Sequence, residues 1–195
     1  MPEEAPAPLY LCLPTRDGTA AVRSVETFQF LALSLRRPLM IVMAEASNIP
    51  RARNAIHDGL RQMDVPPLTK LWWMDSDIVF TAEALPHLVR MMSIGDAEPA
   101  SVLVAAHYRM SDGRWQGMAG PGFVEHVSGP RPGREHSGRK KDRSGFGLVY
   151  GVTDPEYVWM ADTLGEDVHW WMDHPDARVI WYEAWGPLHR KGVLL

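Results

Sequence analysis

The sequence predicts an α/β protein of one domain (1–195), with a mainly parallel sheet flanked by helices. Strand-like apolar runs alternate with helix-like segments through the first half of the chain, which favours parallel strands joined by helical crossovers. The run Leu71 to Phe80 (Leu-Trp-Trp-Met-Asp-Ser-Asp-Ile-Val-Phe) is apolar except where Asp75, Ser76 and Asp77 interrupt it, as a buried strand ending in a polar turn would be. At 195 residues, 46% of them hydrophobic and 23% charged, the chain can bury a substantial core.

Leu9 to Leu13 read as the first strand, stopped by Pro14 and opening into Thr15-Arg16-Asp17-Gly18. From Thr19 to Arg37, Val22, Val25, Phe28, Leu31 and Leu35 recur at helical steps. Leu39 to Ala44 form a second strand. Asn48-Ile49-Pro50 begins another helix, capped by Asn48 or its neighbour and running to about Met63. Pro66 and Pro67 break the chain before the Asp-Ser-Asp strand. Thr81 would cap a helix through Met92, and Ser101 to Ala106 form the next strand. Past His107 the periodicity weakens. Gly, Pro and charge dominate from Met110 to Arg143, and 128–143 read as a mobile basic loop carrying Arg131, Arg134, Arg139, Lys140, Lys141 and Arg143. Ordered structure resumes at Ser144 to Tyr150, with a short helix near Asp154-Pro155 and a last strand at Arg178 to Tyr182.

The formal charge of −4 argues against a globally basic nucleic-acid binder. Cys12, the single cysteine, lies in an apolar run and reads as a small buried hydrophobe. The acidic, proline-rich start lacks the basic character of a signal peptide, and no apolar stretch reaches the ~20 residues of a membrane span. The expectation is a soluble, cytoplasmic protein.

Two carboxylates at the end of a buried strand repel each other and resist desolvation unless a cation joins them. Asp75 and Asp77 are therefore candidate ligands for a hard divalent ion shared with phosphates, the alternative being a surface turn in which they cap the next segment. Arg16 and Asp17 sit where a base or ribose could be gripped. Arg51, Arg53 and Asn54 lie at a helix start suited to an anion, although arginines there are commonly just solvated. Glu166 and Asp167 precede the run Val168 to Met172, placed for general-base work or simply for the helix dipole. His189 is a candidate imidazole ligand to the same cation, or an ordinary surface or core histidine. Trp170 and Trp171 could stack on an acceptor sugar or base, or pack in the core.

In order along the chain, Pro14-Thr15-Arg16-Asp17, Pro50-Arg51-Ala52-Arg53-Asn54, Met74-Asp75-Ser76-Asp77-Ile78, Gly145-Phe146-Gly147, Glu166-Asp167 and Ile180-Trp181-Tyr182 to His189 resemble the motifs of GT-A fold, nucleotide-sugar-dependent glycosyltransferases. The resemblance implies a Rossmann-type sheet and a DXD motif binding Mn or Mg. Asp77 would bind the ion directly, Asp75 would touch ion or ribose, and His189 would complete the protein ligands. Pro14, Thr15, Arg16, Asp17, Glu45, Arg51, Arg53, Asn54, Asp75 and Ser76 would form the donor site, with a UDP-sugar favoured. Asp167 would be the base of an inverting reaction, with Glu166 beside it. Many relatives end their second strand in an aspartate that reads the base; here Glu45 stands in its place. The hydroxyl acceptor would meet Arg139, Lys140, Lys141, Trp170 and Trp171. The basic loop favours a polyanion such as DNA with hydroxylated bases, or a phosphorylated glycan or lipid. Competing readings are a sugar-phosphate nucleotidyltransferase, which normally has a Gly-rich phosphate loop after the first strand, and a non-enzymatic nucleic-acid-binding module.

Overall fold

The structure, a computed structural model, describes residues 6–106, 108–110, 115–116, 123–126, 147–152, 157–159, 173, 178–182, 185 and 187–189. The first half runs β1 (Leu9–Thr15), α1 (Val22–Ser34), β2 (Leu39–Glu45), α2 (Ile49–Gln62), β3 (Leu71–Met74), β4 (Ile78–Val79), α3 (Ala84–Ala97) and β5 (Val102–Ala106). The second half adds β6 (Tyr108–Met110), β7 (Trp115–Gln116), β8 (Phe123–His126), β9 (Leu148–Gly151), β10 (Arg178–Tyr182) and β11 (Leu188–His189). The fold is α/β. Its main sheet has the order β2-β1-β3-β9-β5-β10-β8, in which only β9 runs against its neighbours. A smaller sheet has the order β4-β11-β6-β7.

The core divides across the main sheet. On one face Leu9, Leu11, Leu13, Trp72 and Met74 pack with Phe28 and Leu31 of α1 and Leu88 and Met91 of α3. On the other, Cys12, Leu71 and Trp73 pack with Ile56 and Leu60 of α2. Successive strand residues point to opposite faces, so a strand covered on both sides is apolar throughout. Burial pushes the Cys12 thiol far above its usual range, which keeps it a neutral hydrophobe. No described helix is long and apolar enough to cross a membrane.

Several elements depart from the sequence reading for identifiable reasons. Pro14 lies inside β1 rather than ending it. The register with β3 stops at Cys12↔Trp73, so that ladder needs no N–H at position 14. The helix expected from Thr19 starts at Val22, because a turn through Asp17 and Gly18, at φ 71°, occupies the preceding residues. Thr81 does not cap α3, whose N-cap is Glu83 without a side-chain bond. The Thr81 hydroxyl instead accepts the Trp185 indole N–H at 3.0 Å. The apolar run through the two carboxylates is two strands in two sheets, β3 and β4, separated by a turn. Asn48 caps α2 as expected, accepting the Arg51 N–H at 3.0 Å. The basic loop 128–143 and the helix expected near Asp154-Pro155 lie outside the described residues.

Candidate functional site at the sheet edge

The parallel strands β1, β2 and β3 end together, and ligands in such sheets bind beyond the carboxyl ends of the strands. Three chain segments meet at this edge. The first is the turn after β1. Thr15 is buried, and its hydroxyl donates to Asp17 Oδ1 at 3.0 Å while accepting the Asp17 N–H at 3.3 Å. The Thr19 hydroxyl and N–H donate to the same oxygen at 2.7 and 3.0 Å. These donors, the Thr19 hydroxyl foremost, hold the exposed Asp17 carboxyl below its ordinary range.

The second segment is the end of β2. Glu45 is in register with Thr15 and leans over the turn. A Cβ built at Gly18 would lie 2.8 Å from Glu45 Oε2. Together with the positive φ, this close approach makes glycine the residue the turn requires.

The third is Asp75-Ser76-Asp77, fastened by backbone bonds on three sides. The Asp75 N–H donates to Gly147 O at 2.9 Å, the Ile78 N–H to Asp75 O at 3.0 Å, and the Ala21 N–H to Ser76 O at 3.0 Å. Behind the turn, the buried Ser24 hydroxyl donates to Ile78 O at 2.7 Å and accepts the Phe80 N–H at 3.1 Å. The turn therefore has a fixed position relative to α1 and to the start of β9. Gly147, the last residue of the Gly-Phe-Gly motif, enters the site through its carbonyl; Gly145 and Phe146 lie outside the described residues.

Arg51 and Arg53 have different fates. Arg51 is exposed, its guanidinium 3.4 Å from the Ser47 hydroxyl. Arg53 is 1% exposed. Its guanidinium carbon lies 5.3 Å from the Trp73 ring centroid and 4.8 Å from that of Trp159, and Nη2 reaches Asp75 Oδ1 at 3.3 Å. A buried charge is tolerated only when paired, and aromatic faces add to the attraction. Arg53 thus holds Asp75 from behind the strand. Asn54 takes a positioning role: its amide donates to Trp159 O at 3.0 Å and accepts the Trp159 N–H at 2.8 Å. His57 Nδ1 lies 3.2 Å from Tyr157 O, so α2 clamps 157–159 in place over Arg53.

Tyr157, Trp159 and His57 escaped the sequence reading, although one signal was there. Residues two apart on a helix point to nearly opposite sides, so Arg51 and Arg53 cannot share a face. Arg53 falls on the buried stripe with Ile56, His57 and Leu60.

His189 reaches the same edge through the small sheet, where its backbone pairs with Ile78, next to Asp77, in the antiparallel β11–β4 ladder. Asp77 is half-buried. Among the described residues no three His, Cys, Asp or Glu side chains cluster as metal ligands. Asp77 lies in the turn immediately before β4, whose Ile78 pairs with His189, while Asp75 is engaged by Arg53. Phosphate oxygens and water commonly fill the remaining positions of a hard divalent ion. The structure thus brings together Pro14, Thr15, Arg16, Asp17, Glu45, Arg51, Arg53, Asp75, Ser76 and Asp77, and the backbone of His189, at one end of the sheet. Glu166, Asp167, Trp170, Trp171, Arg139, Lys140 and Lys141 lie outside the described residues.

Comparison with known protein families, with curated proteins and with solved structures finds no match to this chain.

Proposed function

We propose that the chain is a metal-dependent glycosyltransferase that moves a sugar from a nucleotide-diphosphate donor to a hydroxyl acceptor. The observation that carries this reading is the meeting of the Thr15–Asp17 turn, the Asp75–Asp77 turn and the His189 backbone at the carboxyl edge of a mostly parallel sheet. In this reading Asp17 and Glu45 face the nucleoside, and Arg53 holds Asp75 toward the ion or the ribose. Asp77 and His189 would hold a Mn or Mg ion, which when bound neutralises charge on the departing diphosphate. The exposed Arg51 stands where it can contribute a further positive charge. Asp167 takes the proton of the acceptor hydroxyl as the acceptor oxygen bonds to the anomeric carbon and the carbon–diphosphate bond breaks, with inversion at that carbon.

The test is hydrolysis of a panel of nucleotide sugars, UDP-sugars first, with Mn²⁺, with Mg²⁺ and with EDTA. Metal-dependent release of nucleoside diphosphate from at least one donor supports the reading. Pyrophosphate release from a nucleoside triphosphate and a sugar phosphate, with no donor hydrolysis, would identify a nucleotidyltransferase instead. With the donor in hand, Asp167→Asn should lower kcat by roughly 10²-fold or more at nearly unchanged donor affinity; wild-type turnover would move the base elsewhere.

A further inference from the structure

β11 is too short to choose its own partner residues. It spans Leu188–His189 and lies inside the small sheet. Leu188 pairs with Val79 and His189 with Ile78 on the antiparallel side, and the same two residues pair with Arg109 and Met110 on the parallel side. A strand of two residues has no periodicity with which to lock onto a neighbour, and a slip of one residue changes the face on which each residue stands. In the observed register His189 stands across from Ile78, the residue that follows Asp77. Slipped by one, that place falls to Leu188 or Arg190.

Trp185, four residues before His189, supplies what the strand lacks. It is buried and held on three sides. Its indole N–H donates to the Thr81 hydroxyl at 3.0 Å. Its ring meets Phe80 in a T-shaped pair, with centroids 5.3 Å apart and planes at 66°. It stacks on His87 with centroids 5.6 Å apart and planes at 3°. Phe80 and Thr81 directly follow β4, so the residue leading toward β11 is fastened to the residues leaving its antiparallel partner. The socket is itself well founded. Phe80 packs on Phe28 of α1 at 5.7 Å, and His87, in the first turn of α3, has Nδ1 2.8 Å from the hydroxyl of Tyr182 at the end of β10. Burial, against the opposing charge of Glu83, holds the His87 pKa below its ordinary value, so a neutral ring lies against Trp185. An indole suits this socket because it joins a wide face to an N–H that needs a partner when buried.

We propose that Trp185 is a positioning residue that sets the register of β11 on β4 and so seats His189 across from Ile78, beside Asp77. The consequence for metal binding rests on the glycosyltransferase reading above; the register itself does not.

NMR on the full chain tests the register, and manganese binding tests its consequence. In wild type, cross-strand backbone NOEs should join His189 to Ile78. Trp185→Phe keeps an apolar ring but has no N–H and less area to stack, and should lose those NOEs or move them to another pair. Thr81→Val, at an exposed site, removes only the acceptor of the indole N–H. It should weaken the same NOEs, so the test survives if Trp185→Phe does not fold. With UDP present, Mn²⁺ affinity read from the EPR signal of the free ion should fall by about tenfold or more in Trp185→Phe and by about threefold in Thr81→Val. Met91→Ala, a core truncation elsewhere on α3, should lower the melting temperature and move neither readout. NOEs of wild-type strength between His189 and Ile78 in the folded variants would overturn the proposal. So would their equal loss in Met91→Ala, which would reduce the effect to general loosening. Lost NOEs with unaltered Mn²⁺ affinity would uphold the register and remove His189 from the metal site. A wild type that binds no Mn²⁺ would end the metal reading, and the NOEs alone would still decide for or against Trp185.

Discussion

The acidic turns after β1 and after β3 lie at the same sheet edge but are held by different means. Asp17 is exposed and satisfied by its immediate neighbours, Thr15 and Thr19, each two residues away. Asp75 is half-buried and held by Arg53 from another element and by Gly147 from across the sheet. The first turn carries its own instructions and persists if distant packing loosens. The second exists only when α2, β3, β9 and 157–159 are assembled around it. One carboxylate is positioned by local chemistry, the other by the fold.

That difference predicts unequal costs. Arg53→Ala should be the most damaging change, destabilising by about 2–4 kcal/mol, because it removes the buried guanidinium from its pair with Asp75 and opens space between Trp73 and Trp159. Arg53→Lys should recover little, since an ammonium has no planar face to lie between two indoles. Urea unfolding measures both; a loss under about 0.5 kcal/mol for the alanine variant would contradict the assignment of Arg53 as the anchor.

Asn54→Ala comes next, at about 1–3 kcal/mol, because it removes the two hydrogen bonds that Asn54 makes to the Trp159 backbone. Hydrogen exchange should then quicken at the Trp159 amide, while the Asp17 turn keeps its wild-type protection. Equal loosening of both turns would erase the distinction between them.

The smallest effect belongs to Asp17. Its folded pKa is depressed by hydroxyl and amide donors, so its contribution to stability is present above its ordinary pKa and lost as pH falls through the folded value. Thr19→Val removes the strongest of those donors. An NMR titration of the Asp17 carboxyl should show a midpoint below the ordinary carboxylate value in wild type, moving upward in the variant. An unmoved midpoint would mean that the turn is held by something other than Thr19.

The same contrast explains what was legible in the sequence. β2, α2 with its Asn48 cap, and β10 at Arg178–Tyr182 carry their patterns within a few consecutive residues. β4 and β11 span two residues each, too short for any periodicity, and acquire meaning only by pairing within the small sheet. The antiparallel run of β9 is a property of the sheet that its own residues do not encode. In the candidate site, the Asp-Ser-Asp turn was legible because polar residues interrupt an apolar run. The Trp159 lining was not, because its Asn54 clamp joins residues 105 positions apart.

We propose that Asp77, joined by His189, would hold at this edge a divalent ion that a nucleotide diphosphate shares. Titration calorimetry with UDP as probe, with and without Mn²⁺, tests it directly in wild type and Asp77→Ala. UDP should bind wild type only with the metal present. Asp77→Ala should lose that binding while melting within a degree or two of wild type, since a half-exposed turn residue contributes only about 0.5 kcal/mol to stability. UDP binding that survives EDTA, or that is undiminished in Asp77→Ala, would contradict it.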